Sequence, residues 1–309
     1  MRILVTGGAG FIGSHLVDKL IVDNNVTVVD NLSSGRMENI NQHLDKKNFR
    51  FLKHDVVTNN IDYCFEKIDE VWHLAAEPDV RTAIKDTKKD IYQNFIATYN
   101  ILESMKKNNV KRIVYTSSSA IYGEAKTIPT PEDYPTSPIS LYGATKLTCE
   151  ALISAYSHTF DIEGKIFRLA NIIGPRSIRG VTYEFVQKLK QNSKELEVLG
   201  DGNQKKSYLY IDDCIDGMIT GVKNGKERLN VYNIGSEDQL TVKEIAQIVS
   251  NKMKVNPKFR FTGGERGWKG DPPLMLLSIS KIEALGWKPK HTSKMSVEKT
   301  AEQYIANHI

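Results

Sequence analysis

Residues 1–16, MRILVTGGAGFIGSHL, constrain the fold more than any other stretch of this chain. Ile3-Leu4-Val5 is an apolar run of buried-strand length; it stops at glycines, and apolar residues resume at helical spacing at Phe11, Ile12, Leu16 and Leu20. The pattern predicts a strand, a tight turn and a helix. Gly7, Gly10 and Gly13 let the backbone turn sharply, approach a pyrophosphate and pack helix on strand, while the helix N-terminus offers amides to an anion. A second strand over 26–29 ends in Asp30, placed to accept hydrogen bonds from an adenosine ribose. A carboxylate there favours NAD, because the 2′-phosphate of NADP would meet its charge; Arg36 keeps NADP as the alternative.

Further strands and helices follow in alternation. The turn-rich residues 31–35, including Asn31, Ser34 and Gly35, are expected to wrap the adenosine side. A strand over 49–52 leads to Asp55 and Val56, with Asp55 placed to hold an adenine. A strand over 70–76 ends in Leu74-Ala75-Ala76, small residues that either admit a cofactor against backbone or simply pack closely. Residues 88–107 show helical periodicity through Ile91, Phe95, Tyr99, Leu102 and Met105, with Asn94 inside the pattern. The strand over 111–116 runs into Ser117-Ser118-Ser119, hydroxyls at the carboxyl end of a strand, where open α/β sheets bind ligands. A loop with four prolines precedes the helix opened by Tyr142 and Lys146, and a sixth strand over 164–170 follows. From residue 172 the elements shorten, which places a first domain at 1–171 and a smaller lobe at 172–309, the chain returning toward the sheet near 231–235.

The 309 residues suffice for a substantial core, and hydrophobic and charged contents of 40% and 26% are those of a soluble globular protein. No apolar run of membrane-spanning length or signal peptide is visible, so no membrane partner is expected. Cys64, Cys149 and Cys214 are odd in number and widely spaced, which reads as reduced thiols in a cytoplasm, not a disulfide frame or a metal site. The net charge of +5 comes from residues 251–309, which hold 11 Lys/Arg against 5 Asp/Glu; this surplus either draws an anionic ligand or lies on solvated surface. No basic cluster interleaved with aromatics points to nucleic acid.

Tyr142 and Lys146, four apart on a helix, share one face. A free tyrosine has a pKa of about 10; bringing it to about 7 takes about 4 kcal/mol, comparable to one positive charge about 4 Å away at an effective dielectric of about 20. Lys146, assisted by an oxidised nicotinamide, is therefore expected to lower the tyrosine's pKa. By itself, Tyr-x-x-x-Lys is also a common surface pattern.

Taken in order, the three-glycine turn, Ser117-Ser118-Ser119-Ala120-Ile121-Tyr122-Gly123, Tyr142-Gly-Ala-Thr-Lys146 and Arg168-Leu-Ala-Asn171 resemble the extended short-chain dehydrogenase/reductase family, especially its UDP-glucose 4-epimerases, over nearly the whole chain. The resemblance implies a doubly wound parallel sheet (Rossmann) carrying NAD, with a smaller C-terminal lobe for a nucleotide-diphosphate sugar. It implies Ser118, Tyr142 and Lys146 as catalytic residues, and selects Ser118 over its neighbours. It adds Phe11, Ile12, Asn94 and Ala170 to the cofactor-lining residues named above. Asn171 corresponds to an asparagine that contacts the sugar nucleotide's phosphates, and Gly200-Asp-Gly202 to the loop near the base. Two departures concern the diphosphate and ribose contacts: Lys206 stands where many relatives carry arginine, and the stretch from Arg266 to Asp271 is longer than usual and inserts Trp268. Lys206 and Arg266 therefore read either as diphosphate ligands or as surface charge. A homodimer through the helices at 88–107 and 145–160 is implied as well.

The expected activity is thus NAD-dependent nucleotide-sugar epimerisation, of the UDP-glucose/UDP-galactose type, through a transient 4-keto sugar. Uronate epimerisation, dehydration, decarboxylation or reduction of a nucleotide sugar are alternatives, as is a non-catalytic NAD-binding regulator. Relatives that dehydrate place Asp-Glu directly after the catalytic hydroxyl residue; here Ser119 and Ala120 stand there and offer no acid or base. Arg81 resembles a residue of uronic acid epimerases, where it would meet a sugar carboxylate, or it pairs at the surface.

Overall fold

The structure, a computed structural model, describes residues 1–58, 60–81, 85–268 and 270–306. Its strands β1 (Arg2–Thr6), β2 (Asn25–Asp30), β3 (Phe49–Lys53), β4 (Glu70–His73), β5 (Arg112–Ser118) and β6 (Glu163–Leu169) join the strand Leu229–Ile234 in a seven-stranded sheet. The spatial order is Leu229–Ile234, β6, β5, β4, β1, β2, β3, and the pairs from β3 to β5 are parallel. The chain winds outward from β1 to β3, then returns to the other side of β1 with β4. That reversal puts the carboxyl ends of β1 and β4 side by side, the position at which doubly wound sheets bind ligands. Ile3 and Val5 pair with Val26 and Val28, and Leu4 and Val29 are buried beside them, so both strands are apolar as sheets covered on both faces require.

The helices of this part are α1 (Phe11–Leu20), α2 (Thr87–Asp90), α3 (Ala97–Lys107) and α4 (Leu141–Phe160). The periodic stretch expected over 88–107 is α2 and α3 joined by a π-helical segment, Ile91–Ile96. Ile101, Leu102 and Met105 of α3 and Cys149 and Ile153 of α4 pack with Leu4, Val71, Ile113 and Ile166 of the sheet in one apolar cluster. Leu102 is fully buried there, and truncating such a residue to alanine costs about 2–5 kcal/mol.

The chain divides into two compact units: 1–121, 140–168 and 221–232 form the first, and 122–139, 169–220 and 233–309 the second. This interleaving is greater than a division at 171/172, because the proline-rich segment belongs with the second unit and the helix end and strand over 221–232 with the first. In the second unit the helices Val181–Gln191, Val242–Lys252 and Ser293–Ala306 surround Phe185, Val186, Leu196, Val249 and Val297. Thr241 caps the middle helix: its hydroxyl accepts from Glu244 N while the Glu244 carboxylate accepts from Thr241 N. Among the described residues no helix is long and apolar enough to cross a membrane.

Candidate active site

The turn after β1 is built by close approach. Gly7 has φ 71°, and a Cβ there would lie 2.7 Å from Ala75 N, so the β1 and β4 loops touch backbone to backbone. A Cβ on Gly13 would lie 2.1 Å from Gly7 O, which only glycine avoids. Gly10 is the N-cap of α1, whose first turn has no side-chain cap and no acidic residue, with Phe11 and Ile12 half-buried as its first residues. An anion therefore meets open amides and no opposing charge. Asp30 ends β2 with 8% exposure; its carboxylate accepts from Ala9 N at 3.0 Å and Leu32 N at 2.8 Å. Burial pushes its pKa up, against the pull of those two amides. A carboxylate has about four acceptor sites, so two remain for hydroxyl donors. A Cβ on Gly35 would crowd both Asp30 oxygens at 2.8 Å. Asn31 donates to Asp55 at 3.1 Å and accepts from Ser33 N; Asp55 also accepts from Val57 N, and Val56 is buried behind it, while Ser34 is exposed. Leu74 N donates to Thr6 O, and Leu74, Ala75 and Ala76 stay half-buried beside Gly7. The uncapped helix start, the glycine cradle and the acceptor at Asp30 together fit a dinucleotide.

Ser118 closes β5, and Tyr142 stands in the first turn of α4, which Ser140 caps by accepting Gly143 N at 3.1 Å. The Ser118 hydroxyl acts on the Tyr142 phenol, drawing its pKa down, and Ser118 Oγ accepts from Ala120 N at 3.2 Å. Lys146, 3% exposed, donates through Nζ to Thr116 O at 2.9 Å. That ammonium lies 5.8 Å from the Tyr142 ring centroid and 4.9 Å from that of Tyr115. The structure thus brings all three expected residues into one cluster. It differs on the tyrosine's acidity: in the protein alone, burial pushes the phenol up to about 12, the Ser118 hydroxyl opposing it. Burial also drives Lys146 down to about 8. The desolvation of both groups exceeds the attraction that the Tyr142–Lys146 spacing promised.

Asn94 does not present a spare polar group. Its amide donates to Thr145 Oγ1 at 2.9 Å and Asp90 at 3.3 Å, and its carbonyl oxygen accepts from Glu77 N at 2.9 Å, so it ties the β4 loop to α4 from the π-helical segment. Thr145 Oγ1 in turn donates to Tyr142 O at 3.0 Å. Asp90, fully buried, is raised to about 6, burial leading and Glu77 adding to it. The sequence reading missed His73, whose two ring nitrogens share hydrogen bonds with Thr6 and Thr98 at 2.8 and 2.9 Å; burial lowers it to about 3. The one sequence signal was a histidine directly after the apolar pair Val71-Trp72. It also missed Glu150, one turn after Lys146 and bound to Arg168 at 2.8 Å in a buried pair.

Of the expected substrate residues, Ser118 and Tyr142 lie in the first unit and Asn171, Lys206, Arg266 and Asp271 in the second. Asn171 donates to Ser207 O at 3.0 Å, and Ala170 N donates to Ile234 O at 2.9 Å. Lys206 is ion-paired with Asp271, and Arg266 with Glu124. Both cations thus have carboxylate partners, a third arrangement besides phosphate ligand and free surface charge. Lys269, inside the lengthened stretch, lies outside the described residues. Arg81 donates to Asp79 at 3.3 Å.

Residues 3–235 match the model of the NAD dependent epimerase/dehydratase family. The chain belongs to that family. It is 31% identical to the UDP-glucose 4-epimerase of Mycolicibacterium smegmatis over 98% of both chains. A crystal structure of a UDP-galactose 4-epimerase matches with a TM-score of 0.91 at 38% identity, covering 100% of each chain. The UDP-glucuronic acid 4-epimerase of Bacillus cereus, solved with UDP-glucuronic acid and NAD, matches at 30% identity and TM-score 0.91 over 99% of each. As a member of the epimerase/dehydratase family the chain is an enzyme with NAD as its cofactor and a Rossmann fold of the extended short-chain type.

Proposed function

We propose that this enzyme epimerises a UDP-sugar at C4, in the UDP-glucose/UDP-galactose sense. The observation that carries the reading is the grouping of Ser118, Tyr142 and buried Lys146, whose ammonium lies 5.8 Å from the Tyr142 ring centroid, with Ser119 and Ala120 directly after Ser118. Tyr142 Oη takes the C4 hydroxyl proton and later returns it, while Ser118 Oγ hydrogen-bonds the same oxygen. NAD, when bound, supplies the hydride acceptor and donor that make the C4 centre a transient ketone. Gly7, Gly10, Gly13 and the first turn of α1 hold its pyrophosphate; Asp30 takes the adenosine ribose. Lys146, freed from Thr116 O or shared with it, donates to the nicotinamide ribose and keeps positive charge near the phenol. Burial pushes the Tyr142 phenol up in the protein alone, and added positive charge beside it would favour the phenolate. Dehydration needs a further acid or base after Ser118, and Ser119 and Ala120 provide none.

The test is incubation of the NAD-loaded protein with UDP-glucose, UDP-galactose, UDP-N-acetylglucosamine and UDP-glucuronic acid, followed by separation of products. Interconversion of UDP-glucose and UDP-galactose without net NAD reduction is expected; a dehydrated or decarboxylated product overturns the assignment. Uronate epimerisation is the second reading, supported by Arg81 and by likeness to the B. cereus enzyme; turnover of UDP-glucuronic acid alone would establish it. The same proposal includes a cytoplasmic homodimer. Free buried Cys64, Cys149 and Cys214 suit a reducing compartment, and the exposed apolar side chains of Ile91, Tyr92 and Tyr99 suit burial against a second copy. Light scattering at a monomer mass would remove the dimer from the proposal.

A further inference from the structure

A buried ammonium is costly unless it is paired or well hydrogen-bonded. Lys146 is buried, yet among the described residues it donates only to Thr116 O, at 2.9 Å, and makes no ion pair. That carbonyl satisfies one of three N–H donors. Glu150, one turn further along α4, is engaged by Arg168, which donates to it from Nε at 3.1 Å and Nη2 at 2.8 Å. What faces the ammonium is aromatic. Nζ lies over the Tyr115 ring, 4.9 Å from its centroid, and over the Tyr142 ring at 5.8 Å. Both distances are within the range at which the negative face of a ring attracts a cation, and the attraction is larger where water is excluded. Tyr115 is the closer of the two and is buried.

The sheet holds the Tyr115 ring in place. Tyr115 stands on β5 directly opposite His73 on β4, and the two rings lie 5.5 Å apart. The His73 ring is itself fixed, since Thr6 and Thr98 bond its two nitrogens. Burial, and after it the charge of Lys146, keeps that histidine neutral, so the Tyr115 ring meets one cation and not two. Tyr115 Oη is buried and has no hydrogen-bond partner among the described residues, so the ring and not the hydroxyl explains the residue. The other titratable and charged groups around the ammonium are Tyr142, Cys149 and Glu150 on α4, Asp90 on α2, and Arg168 on β6, which acts through Glu150. We propose that Tyr115 is a positioning residue of the active site, its ring face holding the Lys146 ammonium charged and in place beside Tyr142. This rests on the role given to Lys146 in the reaction above and adds to it the group that keeps the charge there. Burial lowers Lys146 to about 8, and without the ring face the lysine gives up its proton at a still lower pH.

The test reads Lys146 directly in the NAD-loaded enzyme, by NMR of carbon-13-labelled lysine, its signal assigned by its loss in Lys146→Arg. Tyr115 is replaced by phenylalanine and then by mono-, di- and trifluorinated phenylalanine, which keep the shape of the ring while draining negative charge from its face. Tyr115→Phe is expected to titrate Lys146 as the wild type does. Each added fluorine should lower the midpoint, by about one pH unit over the series. The alkaline limb of kcat for the UDP-sugar should move down with it, KM changing little. Tyr115→Leu, which removes the face altogether, should shift the midpoint at least as far. A constant midpoint across fluorinated proteins that melt at the wild-type temperature overturns the proposal and leaves Tyr115 as core packing; because those rings fill the same space, this result does not depend on whether Tyr115→Leu folds. A midpoint that falls while the kcat limb stays fixed overturns it too, for the reaction would then not use the charge the ring holds. The titration needs no sugar substrate. If the midpoint falls with fluorination but no nucleotide sugar is turned over by the wild type, the proposed reaction fails while the hold of Tyr115 on the ammonium stands.

Discussion

Lys146 in the first unit and Lys206 in the second are both ammonium groups of expected function, yet they are held in opposite ways. Lys146 is sunk among Tyr115, Tyr142 and the Thr116 carbonyl, and desolvation has displaced its pKa to about 8. Lys206 sits on a short strand with 16% side-chain exposure and is neutralised by Asp271. Arg266, more exposed still, is neutralised by Glu124. In the first case burial sets the chemistry of the group, so small changes in nearby charge move its protonation. In the second, a carboxylate stands where a phosphate could substitute, so exchange of partners sets the binding. A reaction centre gains from the first arrangement, because fixed dipoles and charges act strongly where water is excluded. A recognition surface gains from the second, since its charges are satisfied before a ligand arrives.

The comparison breaks first at Tyr142. If the buried cluster does the chemistry, Tyr142→Phe lowers kcat by about 10²–10⁴-fold, with KM and NAD content little changed; steady-state kinetics near wild type would move the acid/base elsewhere. Next is His73, another group whose state burial sets. An unfolded histidine takes its proton near pH 6.5, while the folded one waits until about 3. Between those values the unfolded chain binds more protons, so stability falls as pH drops. The loss from this group is about 3 kcal/mol between pH 6.5 and pH 4. Thermal melts across that range should show a steeper acid loss for wild type than for His73→Asn; parallel curves would refute it.

Smaller effects test recognition. Asp30→Ala should narrow the preference for NAD over NADP by about 10-fold, because it removes both a ribose acceptor and a charge that repels a 2′-phosphate; an unchanged ratio in equilibrium binding would take cofactor choice away from Asp30. Lys206→Ala should raise KM for the nucleotide sugar about 5-fold and leave kcat nearly intact, as loss of uniform binding does. Should KM stay at wild type while the melting temperature falls, Lys206 serves only to neutralise Asp271.

What was legible in the sequence is what neighbouring residues dictate to each other. The apolar run of β1, the glycines at 7, 10 and 13, the start of α1 and Asp30 at the end of β2 follow from strand and helix periodicities within thirty residues. The Tyr142 and Lys146 pairing on one helical face is of the same local kind. What only the tertiary structure decided depends on chain that returns from far away. The π-helical segment that turns Asn94 onto Thr145 and Glu77 has no periodic signature in 88–107. The pairing of Lys206 with Asp271, 65 residues on, cannot be read from either neighbourhood. Nor can the rise of Tyr142, for desolvation sums over every element packed around a group, while sequence spacing shows only the one charge placed beside it.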